Sequence, residues 1–426
     1  MREPLFPHSP GSVTLRGMST LTALRRPAPA PHSVDHSPAA SAVDHALLAA
    51  LSARFASTAA DYDQSGAFPH ENLQVLQQHG LIGLVVPRQY GGGGASLATA
   101  RSVVAAVARG EPATALILTM TYLQHYAITR ADNRWPQHLR ARVAADATRD
   151  GALVNTLRVE PLLGSPARGG LPATVARRMA DGWRIAGHKL YSTGIEGLTW
   201  LSVWARTDEA EPRVGVFLVP RSTPGIEVIA SWDHLGLRAS GSHEVVFEDV
   251  AIPPEHAVDL RAPADWVPDA GSQTDIDAHA VQQAWMVVLL GSLYDAVARA
   301  AHDWLIGFLQ GRVPGSLGAP LASLPRVREH VGEIEALLRT NRVLLDDATR
   351  AVDEGRAPSA IDSGLIKHTV TGNAIRAVEV ALQLTGNHGL TRHNPLQRHL
   401  RDVLCSRVHT PQNDSILTAA GKRALG

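Results

Sequence analysis

The sequence predicts a mainly α protein with a β insert, and three observations carry that expectation. Apolar residues recur at three- and four-residue spacing from about Val43 to Asp150, and again from about Thr274 onward; this is the period of amphipathic helices. Between about Gly151 and Asp259 the chain breaks into short runs rich in β-branched and aromatic residues, punctuated by Gly, Pro and Asp, which is a strand pattern. Several later helical runs are longer than about 20 residues, as in a bundle of long helices. The expected organisation is a disordered tail over 1–42, an N-terminal helical domain over 43–150, a middle antiparallel β domain over 151–259 and a C-terminal four-helix bundle over 260–426.

In the first helical region "DHALLAALSARFASTAADYDQ", "ENLQVLQQHGLIGLVVP" and "SLATARSVVAAVARG" read as helices, the second stopped by Gly80 and the third by Gly110. "YGGGG" (Tyr90–Gly94) is a loop without the Lys-Ser/Thr pair of a phosphate loop. "GALVNTLRVE", "GWRIAGHKLYS", "TWLSVWART", "RVGVFLVP", "IEVIASW" and "HEVVFEDVAIP" read as strands. No helical run separates them and no GxGxxG follows a strand, which favours an antiparallel sandwich or barrel over a Rossmann unit. Four helical runs close the chain, the last being "PLQRHLRDVLCSRVH".

Composition narrows the function classes. Lys+Arg and Asp+Glu both total 40 in 426 residues, so no basic footprint for nucleic acid or an anionic membrane exists. One cysteine excludes an intrachain disulfide and a multi-cysteine zinc site, and fits a reducing, cytoplasmic compartment. The most apolar run, "AWMVVLLGSLYDAVARAA", is interrupted by Asp295 and Arg299 and reads as a buried helix rather than a membrane span. The Pro-, Ser-, His- and Ala-rich start carries Arg2, Arg16, Arg25 and Arg26. The prolines after Arg26 oppose a targeting helix, which leaves a floppy tail or a start at Met18.

The most specific stretch is "HLGLRASGSHEVVFEDVAIP", His234–Pro253. Gly236, Arg238 and Ser240, followed by a strand with Val245, Phe247, Asp249, Val250 and Pro253, resemble the signature of the acyl-CoA dehydrogenase superfamily. "LRVEPLLGS" resembles that family's strand and loop along the flavin, with Val159 where the family has threonine. "GHKLYSTG" resembles the strand whose aromatic residue lies against the flavin ring and whose threonine reaches its N5 side. The resemblance covers about residues 45–426. It implies the acyl-CoA dehydrogenase fold, a flavin (FAD, or reduced FMN) between the β domain and the bundle, and a homotetramer.

Carried over residue by residue, the resemblance assigns flavin contacts to Ser165, Tyr191 and Thr193. An aromatic face suits a flat ring, and a hydroxyl can bond its edge. "QLTGNHG" resembles the segment that a neighbouring subunit lays on the adenosine-diphosphate end, through Gln383 and Gly386, with Asn387 where the family has a second glycine. "GRVPGSLGAPLASLP" keeps Arg312 of the other cross-subunit element but has leucine and proline in place of its phenylalanine and glutamine, which weakens the expectation of tight FAD binding.

A dehydrogenase of this family removes an α-proton with a carboxylate. The usual place, eight residues after the Arg401-Asp402 pair, is Thr410; the minority place on an earlier helix is near Ala284. No acid lies in "SRVHTPQ" or "AHAVQQAWMVV", and the nearest, Asp414, is four residues beyond Thr410. His409 and Pro411 instead resemble a second branch, the reduced-flavin monooxygenases similar to dibenzothiophene monooxygenase, where a reductase supplies the flavin. A histidine there can hold, donate or accept a proton. Cys405, one turn earlier, reads as core. His125 reads as core or as a pocket residue, and pocket walls are expected from the N-terminal helices and "QTDIDAHAVQQAW".

The favoured expectation is a two-component monooxygenase acting on a small organic or sulfur-containing compound, partnered by a flavin reductase. The alternatives are an acyl-CoA dehydrogenase with an atypical base, serving an electron-transfer flavoprotein, and a non-catalytic flavin-binding relative.

Overall fold

A computed structural model describes residues 43–130, 133–163, 170–266 and 273–426; the expected tail over 1–42 lies outside them. Five helices come first: α1 (His45–Ser65), α2 (His70–Gln78), α3 (Leu97–Gly110), α4 (Pro112–Thr129) and α5 (Gln137–Asp150). Local chemistry fixes the α3/α4 corner. The Glu111 carboxylate accepts from the backbone N–H groups of Ala113 and Thr114 at 3.1 and 2.6 Å, capping α4 just before Pro112 starts it. The Tyr90–Gly94 loop is packed rather than open: a Cβ on Gly92 would stand 2.1 Å from the Val86 carbonyl oxygen.

The β region forms a mixed sheet, with strands β1 (Leu153–Leu157), β2 (Val175–Met179), β3 (Gly182–Lys189), β4 (Leu198–Thr207), β5 (Val214–Pro220), β6 (Ile226–Ile229), β7 (Glu244–Ile252) and β8 (Ala257–Arg261). The strand order is β6-β7-β3-β2-β4-β5-β8, and β1 also pairs with β4. The expected antiparallel pairing joins β2 to β3, β3 to β7, β4 to β5, β5 to β8 and β6 to β7; it is corrected for β1 and β2, which both run parallel to β4. They lie end to end along one edge of that strand, so the shared edge sets their direction rather than a hairpin. The sequence reading missed β2 and β8; "VARRM" and "AVDLR" carry charged residues that mask their alternation.

Three long helices follow, α6 (Gln273–Gly311), α7 (Pro325–Asp353) and α8 (Ala360–Thr385); the shorter α9 (Asn387–Leu390), α10 (Leu396–Leu404) and α11 (Asn413–Leu425) end the chain. By length and composition α6 could cross a membrane, but 83% of its apolar window is buried, which makes it the central core helix. One apolar cluster joins the three regions, from Phe55 and Val104 through Ile185 and Phe247 to Leu289 and Val378.

The signature stretch ties those regions together. Leu237, held at φ +51°, donates its N–H to Asp402 of α10 at 2.7 Å. Arg238 donates to the Asp63 carbonyl at 2.7 Å, and Arg401 pairs with the Asp63 carboxylate. A Cβ on Gly236 would stand 2.3 Å from the Arg401 carbonyl oxygen, so only glycine allows α10 to sit this close. The Arg-Asp pair is therefore an anchor between α1, the β region and the bundle.

Candidate functional site

The end of β3 presents the first part of the site. Tyr191 follows the strand at φ +54°, a strained backbone state for an aromatic residue, worth about 1–3 kcal/mol. The residue is 54% exposed, its ring set edge-on to Trp232 and His234, which stack on each other at 3.6 Å between centroids. The Thr193 hydroxyl bonds Ser242 at 2.9 Å, and Ser242 in turn bonds Ser240 at 2.8 Å. An exposed aromatic face beside a chain of hydroxyls fits a flat, polar-edged heterocycle such as flavin.

Beneath this surface lies a buried ion pair. Lys189, fully buried, donates to Glu160 and to the Trp204 carbonyl at 2.6 Å each. Glu160 also accepts from Thr174 and the Ala173 backbone. Burial alone would raise the Glu160 carboxyl; the bonds from Lys189 and Thr174 outweigh it and hold the group below its usual range. Burial pushes Lys189 down to about 8.

The second part lies past the end of α10. Sequence spacing put Cys405 and His409 on one helical face, but α10 stops at Leu404, a 3₁₀ turn covers Cys405–Arg407, and His409 lies in the turn beyond. Its Nδ1 stands 2.7 Å from the hydroxyl of Tyr294 on α6. Burial, with the Lys367 ammonium of α8 adding to it, pushes His409 down to about 4. A neutral imidazole is thus held here, not a charged cap on the helix end. Cys405 is half-buried, with its thiol pushed up to about 12, and is inert as a nucleophile.

Neither expected base position holds an acid: Thr410 lies in the same turn and Ala284 is buried in α6. Asp414 is exposed in the first turn of α11. Asp402 is raised to about 7 by burial, but it is sealed against Leu237. The sequence reading missed Tyr294 and the Ser240–Ser242 pair. The signal for Tyr294 was a hydroxyl within the most apolar run of α6, where a buried polar group needs a partner.

The remaining candidates fall elsewhere. Arg312, Gln383 and Gly386 are exposed at one end of the bundle, where Phe308 of α6 meets His388 of α9 at 5.3 Å between ring centroids. The chain itself does not bring them to His409. Ser165 lies outside the described residues. His125 is buried in α4. The C-terminal half of α4 meets the start of α6 through Tyr126 and Trp285, stacked at 4.1 Å, in the two regions expected to wall the pocket.

The buried histidines carry a pH dependence. His125 is pushed down to about 4 by burial, and His399 to about 3 by burial and the neighbouring Arg398. Unfolded histidine titrates near 6.5, so the stability these groups carry is complete above about pH 6.5 and lost as pH falls toward their folded values. At pH 5 each costs up to about 2 kcal/mol relative to pH 7. Asp402 acts in the opposite sense, since its raised group loses stability between about pH 4 and 7. His399→Leu is therefore expected to show a smaller drop in Tm from pH 7 to pH 5 than the parent chain, as thermal melts would measure.

The chain is similar to known proteins over most of its length. Family models for the N-terminal, middle and C-terminal domains of acyl-CoA dehydrogenases match residues 38–133, 158–250 and 288–423. YdbM of Bacillus subtilis (strain 168), whose name assigns it to the acyl-CoA dehydrogenases, is 31% identical over 85% of this chain and 91% of its own. L-evernosamine nitrososynthase of a Micromonospora species is 29% identical over 84% of this chain and 83% of its own. The structure of KijD3 with FMN and a dTDP-linked amino sugar superposes with a TM-score of 0.78 at 28% identity, covering 92% of this chain and 95% of that one.

Proposed function

Because the chain belongs to the acyl-CoA dehydrogenase superfamily of flavin-dependent oxidoreductases, and yet holds no carboxylate at either place where such a dehydrogenase keeps its base, we propose that it is a reduced-flavin monooxygenase of a small organic compound. The observation that carries this reading is His409, neutral and fixed by Tyr294, one residue before the vacant base position.

The residues present fit a flavin. Tyr191 would lie against its ring, with Thr193 and Ser242 offering hydroxyls to its edge. Reduced flavin, when bound, supplies the electrons that activate O2. The chain's part is to orient the ring, exclude water with the α4/α6 wall, and hold or move a proton at His409. For FAD, Arg312, Gln383 and Gly386 would serve a neighbouring subunit in a homotetramer; FMN, which KijD3 carries, would not need them. A flavin reductase is the expected partner, in a cytoplasmic setting. Sulfur compounds are the first substrates to test, and the nitrososynthase relatives add nitrogen-bearing ones.

The dehydrogenase reading, with an electron-transfer flavoprotein as acceptor, draws on YdbM. One pair of measurements separates the two. Protein mixed with photoreduced FMN or FAD and then O2 should consume oxygen and transfer it to a substrate from the screen. Bleaching of bound oxidised flavin by an acyl-CoA under argon, with enoyl-CoA formed, would replace the monooxygenase reading by the dehydrogenase one.

A further inference from the structure

We infer that Tyr294 is a positioning residue for His409: its phenol donates to Nδ1 and so keeps the imidazole proton on Nε2, the nitrogen left for substrate and cofactor. The inference rests on the monooxygenase reading for its use, but on geometry for its substance. Tyr294 is fully buried in α6, and its hydroxyl stands 2.7 Å from Nδ1. Two proton arrangements are open to that contact. If Nδ1 carried the proton and donated, the phenolic hydrogen would have no acceptor among the described residues, an uncompensated buried donor of the kind folded chains avoid. If the phenol donates, every polar atom of the contact is used.

The surroundings hold both groups in the states this needs. Burial, with Cys405 and Asp402 nearby, raises Tyr294 well above its ordinary value, so it keeps its proton. Lys367, buried in α8 and 3.4 Å from the Asn413 side chain, opposes a second positive charge on His409. An Nε2–H is a donor. It can steady a developing negative charge or give its proton to an oxygen, whereas a bare Nε2 can only accept. A tyrosine on the central helix therefore decides which chemistry the histidine in the turn performs.

The test is ¹⁵N solid-state NMR of protein carrying ring-labelled histidine, with His409→Gln used to assign the His409 signals. The expected result is an unprotonated Nδ1 and a protonated Nε2 in the parent chain. In Tyr294→Phe the Nδ1 signal should move toward a tautomer average, and oxygen transfer should fall by about tenfold or more. A protonated Nδ1 in the parent chain would overturn the inference, as would an unchanged tautomer in Tyr294→Phe. Should that variant fail to fold, the parent spectrum still decides. The tautomer is read without substrate or oxygen. A fixed Nε2–H in a protein inert to reduced flavin would uphold Tyr294 and sink the monooxygenase reading alone.

Discussion

His409→Gln is expected to lower oxygen transfer from reduced flavin by about 10²- to 10³-fold, the range a single positioned acid–base group supplies. Glutamine can still accept from Tyr294 through its carbonyl oxygen, so the buried phenol keeps a partner and the fold is retained. What the variant loses is a group that titrates. The measurement is product formed per reduced flavin consumed, in stopped-flow mixing with O2, alongside a melt that verifies folding. A rate equal to the parent's would remove His409 from the chemistry and leave the turn with a purely structural role. Continued oxygen uptake without product would instead place His409 in the productive use of activated oxygen.

Lys189→Met should destabilise the chain by about 3–5 kcal/mol, because removing one partner of a buried pair strands the other's charge. The stranded group is Glu160, 1% exposed, which would keep only its bonds from Ala173 and Thr174. The loss should be read as a lower urea midpoint with an unchanged slope. A second consequence is local. Lys189 ends β3 and Tyr191 follows two residues later, while Leu190 bonds Val159 across the gap. Loosening that corner should weaken flavin binding more than the change in global stability explains. Lys189→Met with Glu160→Gln should recover much of the lost stability, since no unpaired charge then remains.

Much of the fold was legible because it rests on local patterns. Six strands and most helices announce themselves through period and punctuation, and the run from Gly236 to Pro253 names the family from contiguous residues. Two strands escaped because their faces are half polar. The parallel pairing of β1 and β2 escaped because strand direction depends on which edge is free, a property of the assembled sheet.

The candidate site divides along the same line. The absence of an acid at Thr410 or near Ala284, and the presence of His409, are facts of order along the chain, so the sequence by itself determined that no carboxylate stands at either place where the resemblance puts a base. It could not determine the state of His409. A partner 115 residues away, the end of α10 before the histidine, and the Lys367 charge set that state together. Protonation and tautomer follow from burial and from which atoms meet in space, and only the tertiary structure decides those.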